Sequence, residues 1–169
     1  MNPPTNHTVR LATADDAAAL ARLRFEFRAE QHPVLESERE FTTRCVAWMR
    51  PRIGPSSRWR IWVLENAGPP SRRGESALEG GLAGMLWVQI VEKIPNPGSE
   101  PELHAYVSSF YVRAPARNAG CGSRLLQSAL DECRAFHVDS VFLWPTARSR
   151  PLYQRHGFHV SDAVLVNQL

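Results

Sequence analysis

Residues 117–122 read Arg-Asn-Ala-Gly-Cys-Gly, and they follow the apolar run Phe110-Tyr111-Val112 after a turn at Pro115. An amphipathic stretch begins at once. A strand that empties through a glycine-rich turn into a helix leaves backbone N–H groups unpaired at the positive end of a helix dipole. Such a place binds phosphate. Gly120 and Gly122 admit an anionic group to the main chain with no Cβ in the way. Cys121 lies in the same turn, where a thiol at a helix start is a candidate nucleophile. About thirty residues on, Tyr153 precedes Gly157-Phe158 and offers a phenol. On the run before the turn, His104 and Glu102 are candidate bases.

The elements that must hold these groups can be read from periodicity. Residues 7–13 alternate as a short strand. Thr13-x-x-Asp16 and Ser37-x-x-Glu40 are capping boxes that open two helices. Leu20, Leu23 and Phe27 mark the buried face of the first, with Arg22, Arg24 and Glu26 off it; Phe41, Cys45, Trp48 and Met49 share a side of the second. Residues 59–65, 80–92 and 102–112 read as three strands of a meander. Gly84 marks a bulge in the second, and a solvated loop is expected at 66–77. Residues 122–136 form a helix with the stripe Leu125, Leu126, Ala129, Leu130 and Cys133. Residues 140–144 are an apolar run expected as a strand buried on both faces, parallel to 102–112 through a right-handed crossover. Ser149 is expected to cap a short helix over 150–156, stopped by Gly157. Room remains for one or two short strands at the end. The order β-α-α-β-β-β-α-β-α-β predicts a mixed α/β (α+β) sheet with helices on both faces, in one domain spanning residues 1–169.

Composition narrows the class. The chain has 169 residues, 43% hydrophobic and 22% charged, which suits a globular domain with a real core. Of 20 basic residues only Lys93 is a lysine, and 17 acids balance them without a dense basic run, so a nucleic-acid partner is not expected. No apolar run approaches the ~20 residues of a membrane span, and residues 1–13 lack a signal-peptide core. Cys45, Cys121 and Cys133 show no metal-ligand spacing, so no metal is expected, and reduced thiols point to a cytoplasmic protein.

The segment Val112-x-x-x-x-Arg117-x-x-Gly120-x-Gly122, with Pro115 inside it and Leu125-Leu126 after it, resembles motif A of the GCN5-related N-acetyltransferases (GNAT). Residues 149–158, Ser-Arg-Pro-Leu-Tyr-Gln-Arg-His-Gly-Phe, resemble motif B of that family, with Thr146 where many members carry asparagine. The resemblance implies a mostly antiparallel sheet with a splayed central parallel pair. It implies acetyl-CoA as cosubstrate, held by Phe110, Tyr111 and Val112 along the strand and by Arg117, Asn118, Ala119, Gly120, Cys121, Gly122 and Ser123 at the loop. Arg148 and Arg150 are within the range of CoA phosphates on this reading. Tyr153 matches the tyrosine that protonates the departing thiolate; a phenol of pKa ~10 holds its proton at neutral pH.

The reaction so implied is transfer of acetyl to a primary amine, on a small molecule or a peptide, by direct attack. That route leaves Cys121 without a covalent role. Where the family often has a glutamate this strand has Tyr106, and His104 and Ser108 share its face by strand alternation. His104 is the leading candidate base and Glu102 the second, since imidazole exchanges protons near neutrality. Trp48, Trp62, Trp87 and the proline loop near Asn96 are candidate acceptor-pocket residues. The family resemblance also allows a homodimer. An acyl-CoA-binding regulatory or sensor module without efficient turnover is the alternative. A dinucleotide-binding turn is excluded because Leu125 stands where the third glycine is required.

Overall fold

The structure, a computed structural model, describes residues 7–66 and 81–167. Five strands form one sheet in the order β1-β2-β3-β4-β5: β1 His7–Leu11, β2 Trp59–Asn66, β3 Leu82–Glu92, β4 Leu103–Val112 and β5 Ser140–Phe142. The first four pair antiparallel, and β5 runs parallel to β4. Helices α1 (Ala17–Ala29) and α2 (Glu38–Met49) cover one face; α3 (Cys121–Ala135) covers the other, and α4 (Arg150–Arg155) follows β5. The mixed sheet, parallel pair and two-sided helices are the architecture expected from the sequence. Beyond Asn66, the loop expected at 66–77 lies outside the described residues.

Strand alternation sorts the core in two. Ile61 and Val63 of β2, with Met85 and Trp87 of β3, pack under α1 and α2 with Leu20 and Leu23. Leu64, Leu86, Val88 and Val107 pack under the α3 stripe of Leu125, Leu126, Ala129, Leu130 and Cys133. Burying a leucine such as Leu125 or Leu126 fully is worth about 1.5–3 kcal/mol, so this stripe fixes α3, and with it the loop before it.

Local signals set the helix ends. Thr13 donates its N–H to the Asp16 carboxylate at 2.7 Å, and a 3-10 turn over Ala14–Asp16 precedes α1. Ser37 and Glu40 exchange side-chain-to-backbone bonds at the start of α2. Both α3 and α4 end in a left-handed residue, His137 (φ 53°) and Gly157 (φ 87°). In each, the next amide reaches back across the turn: Val138 to the Cys133 carbonyl, Phe158 to that of Tyr153.

Several expectations need correction. Ser149 does not cap α4 through its own side chain; Ser149 donates its N–H to Thr146 Oγ1, and Thr146 returns its N–H to Ser149 Oγ. Residues 140–144 are not buried on both faces: β5 is three residues long, Phe142 is 36% exposed and Trp144 61%. The physical reason is that β5 is the edge of the described sheet, and only Val141 and Leu143 of this run pack on the α3 core. No strand occurs in residues 158–167. The bulge in β3 falls at Ala83, where the partner of Leu64 is Gly84 and that of Glu65 is Leu82. Gly84 serves a close approach instead, since a Cβ there would lie 2.8 Å from the Tyr111 carbonyl oxygen.

Candidate active site

One bulge in β4 shapes the site. Met85 faces Tyr111 and Trp87 faces Ser108, so two residues of β4, Ser109 and Phe110, oppose Leu86 alone. Ser109 takes the left-handed conformation (φ 47°), and the extra residue resets which side chains face which way. Ala105 and Val107 point to the α3 core, and after the bulge Phe110 and Val112 do so too. Tyr111 is thereby turned under α1.

Beyond the bulge β4 stands free on one side. The parallel pairing with β5 covers only His104, Ala105 and Tyr106. From Val107 to Val112 no strand among the described residues occupies the edge facing away from β3, so backbone groups there, apart from the Val112 carbonyl, are open to a ligand. This is the splay expected for the central pair.

The loop after β4 leads into the N-terminus of α3. Asn118 (φ 63°) and Gly120 (φ 73°) are both left-handed, and Gly120 is the N-cap of α3. A serine or aspartate cap would take up the first amides of the helix; glycine leaves them open. Among the described residues no acceptor is found for the amides of Asn118 through Ser123. A Cβ on Gly122 would make only ordinary contacts with Leu152 and Phe110, so that glycine's value lies in access rather than packing. Ser123 Oγ lies 2.6 Å from His156 Nε2, linking the first turn of α3 to the end of α4.

An ion network braces the loop. Arg117 donates from Nε to the Val112 carbonyl at 2.6 Å and from Nη2 to both Glu30 carboxylate oxygens, while Tyr111 donates its hydroxyl to Glu30 at 2.7 Å. Burial opposes the Glu30 charge, but the bonds from Tyr111 and Arg117 hold its carboxyl below the ordinary range. Burial and the Glu30 bond push the Tyr111 phenol upward. One residue before the loop's turn, Arg113 forks onto Glu26 at 2.6 and 2.8 Å. The end of α1 therefore fixes the loop from below.

These parts open onto one cleft of about 1290 Å³, bounded by α1, α2, β4, the loop and α4. Tyr153 lines it, 7% exposed, edge-on to Phe110 and Phe158. Its hydroxyl has no hydrogen-bond partner among the described residues, and burial pushes its pKa up to about 12. Of the residues expected to hold a cofactor, all but Ala119 line the cleft. His104, the expected base, does not. It sits on the stretch of β4 that β5 covers, its Nδ1 is 2.8 Å from Ser140 Oγ and 3.8 Å from the Asp139 carboxylate, and Glu102 is likewise off the cleft. Trp48 and Trp87 line the cleft, but Trp62 alternates to the α3 side and Asn96 lies elsewhere. Arg148 lines it; Arg150 does not.

Sequence reading missed Arg24 and Arg28. Both line the cleft, although Arg24 had been placed off the buried face of α1. Position 24 is four residues after Leu20 and three before Phe27, a spacing that puts it on the same stripe. Trp59 was missed as well; it packs edge-on against Trp48 and Trp87, both at 5.7 Å. Among the described residues no group of three His, Cys, Asp or Glu side chains could hold a metal, and no helix is long and apolar enough to cross a membrane.

Residues 33–158 match the sequence profile of the Acetyltransferase (GNAT) family. The chain belongs to this family. Its fold also matches solved members of low sequence identity. A predicted acetyltransferase of Clostridium acetobutylicum, solved with acetyl-CoA, superposes with a TM-score of 0.73 at 15% identity, covering 96% of each chain. A GCN5-related N-acetyltransferase from Ralstonia eutropha JMP134 gives 0.71 at 20% identity, over 96% of this chain and 99% of that one. Glucosamine-6-phosphate N-acetyltransferase of Arabidopsis thaliana gives 0.66 at 15% identity, over 96% and 98%. No curated protein sequence matches the chain.

Proposed function

We propose that this GNAT protein transfers the acetyl group of acetyl-CoA to a primary amine. The observation that carries the reading is the joining, in one cleft, of the bare β4 edge, the acceptor-free amides of residues 118–123 and the unpartnered Tyr153 hydroxyl. A pyrophosphate suits the amides and the α3 dipole. A pantetheine arm, itself an amide chain, suits the strand edge. Bound there, acetyl-CoA supplies a thioester whose carbonyl an amine can attack, with the sulfur leaving as thiolate.

The chain's own residues set the conditions for that step. The bulge at Ser109 and the edge beyond it leave backbone amides near Phe110 and Tyr111 to polarise an acyl oxygen. Tyr153 serves the sulfur. A thiol has a pKa of ~8.5, so full proton transfer from a phenol near 12 is uphill by about 3–4 pH units. Tyr153 therefore stabilises the developing thiolate chiefly as a hydrogen-bond donor, and water in the open cleft completes the protonation. The amine's own proton leaves by the same water: among the described residues Glu30 is the only carboxylate lining the cleft, and Tyr111 and Arg117 already engage it.

Thiol release from acetyl-CoA in the presence of an amine panel tests the reading. Amine-dependent release, with one acetylated product per thiol, supports it. Tight binding of acetyl-CoA with no amine-dependent release would favour the sensor module instead.

A further inference from the structure

The acceptor side of the cleft has a definite sign. Among the described residues, six arginines line the cleft against the single carboxylate of Glu30. Arg117 is paired with Glu30 and Arg44 with Glu36. Arg155 ends α4, and Arg148, just before that helix, acts on the Glu30 charge. Arg24 and Arg28 remain on α1, one helical turn apart, and neither has a carboxylate partner among the described residues.

Arg24 is not simply a solvated surface charge. It is half-buried, lies 5.6 Å from the Phe27 ring and donates Nη1 to Ser109 Oγ at 3.0 Å. Burial first and the nearby Arg28 charge second disfavour its protonated form. The groups facing it from α2 and β4 are Cys45 and Tyr106, neither of them a carboxylate. Arg28 is exposed to solvent, but the half-buried Arg24 guanidinium beside it has no carboxylate partner among the described residues, which is costly unless something anionic arrives. Beside the two arginines the wall is aromatic: Trp59 packs edge-on against Trp48 and Trp87, which are tilted against each other, with Phe41 and Tyr106 also lining the cleft.

We infer that the acceptor is an amine that also carries a carboxylate and a large apolar group, as an aromatic or long aliphatic α-amino acid does. The carboxylate sits on Arg24 and Arg28, and the apolar group lies against the three tryptophans. This specificity rests on the acetyl-transfer reading for its chemistry, but the binding site itself does not need turnover to be tested. A guanidinium fork matches a carboxylate in a plane. The aromatic wall suits an apolar body better than the hydroxyls of a phosphorylated sugar.

Matched pairs decide it: tryptophan against tryptamine and phenylalanine against phenethylamine, at equal free-amine concentration, with glucosamine-6-phosphate as the phosphate arm. The expected result is kcat/KM higher by about 10- to 100-fold for each carboxylated member, the range of one charged hydrogen bond. Arg24→Met is expected to remove that preference while leaving KM for acetyl-CoA unchanged. Equilibrium dialysis of tryptophan and tryptamine with the CoA-loaded protein gives the same comparison without chemistry, so a failure of acetyl transfer leaves the site still testable. Equal binding of both members, preference for the phosphorylated amine, or an Arg24→Met loss equal for all amines would overturn the inference. The last result would mean that Arg24 only braces the Ser109 bulge.

Discussion

Replacing Tyr153 by phenylalanine separates the chemistry from the fold. The ring is 7% exposed and packed edge-on against Phe110 and Phe158, contacts that phenylalanine keeps. The hydroxyl has no partner among the described residues, so its loss strands no donor or acceptor. Stability should change by less than about 0.5 kcal/mol, a Tm shift within about 2 °C for a chain of this size. Catalysis should not be spared. A hydrogen bond to a charged group is worth about 1.5–3 kcal/mol, and a thiolate is charged only as the bond breaks. The expected loss is therefore about 10- to 150-fold in kcat, with KM for acetyl-CoA within twofold. The pH profile gives a second check. Because burial holds this phenol near 12, its ionisation should produce no fall in kcat up to about pH 10. Initial rates of thiol release from pH 6 to 10, beside thermal denaturation, measure all of this. A kcat loss under threefold would refute the assignment. So would a Tm drop of more than 5 °C with proportionate loss of acetyl-CoA binding, which would make Tyr153 a packing residue.

Other substitutions probe the frame around it. His104→Gln should leave kcat/KM within twofold, since His104 lies off the cleft against Ser140; a tenfold loss with an altered acid limb would restore it as the base. His137→Gly should raise Tm by a few degrees, about 0.5–1 kcal/mol, because His137 ends α3 at φ 53°, where a Cβ is strained. An unchanged or lower melting temperature would show that histidine's side chain offsets the strain. Gly84→Ala should cost about 1–3 kcal/mol, because the new Cβ would meet the Tyr111 carbonyl oxygen at 2.8 Å, and β3 and β4 must part to admit it. Chemical denaturation midpoints equal to those of the parent would refute that.

What the sequence made legible was local. The capping boxes at Thr13 and Ser37, the α3 stripe and the loop at Gly120 are each written within a few residues, and each forms at its predicted place. The crossover from β4 through α3 to β5 followed from chain order and handedness alone. What failed depended on partners distant in the chain. Residues 140–144 are apolar enough for a buried strand, yet their exposure is set by having no neighbour beyond β5. Trp62 and Trp59 look alike in the sequence, and only the register of β2 against β3 puts one on the α3 core and the other on the cleft.

The β4 bulge shows most clearly why the site was harder to read than the fold. Simple alternation puts His104, Tyr106 and Ser108 on one face, and this holds up to Ser108. The next residue on that face would be Phe110; the extra residue Ser109 sends Phe110 to the α3 side and Tyr111 under α1 instead. That displacement gives Tyr111 its bond to Glu30, Glu30 its hold on Arg117, and Arg24 its contact with Ser109. Serine carries no special mark for a left-handed residue, as glycine or asparagine would, so nothing in the sequence announced the shift. One backbone conformation at residue 109 thus links the brace beneath the anion loop to the arginine proposed to select the acceptor. On the proposed reading, cofactor binding and acceptor choice would meet at Ser109, between Arg24 of α1 and Glu30 at its end, two side chains that a sequence pattern alone would assign to solvent.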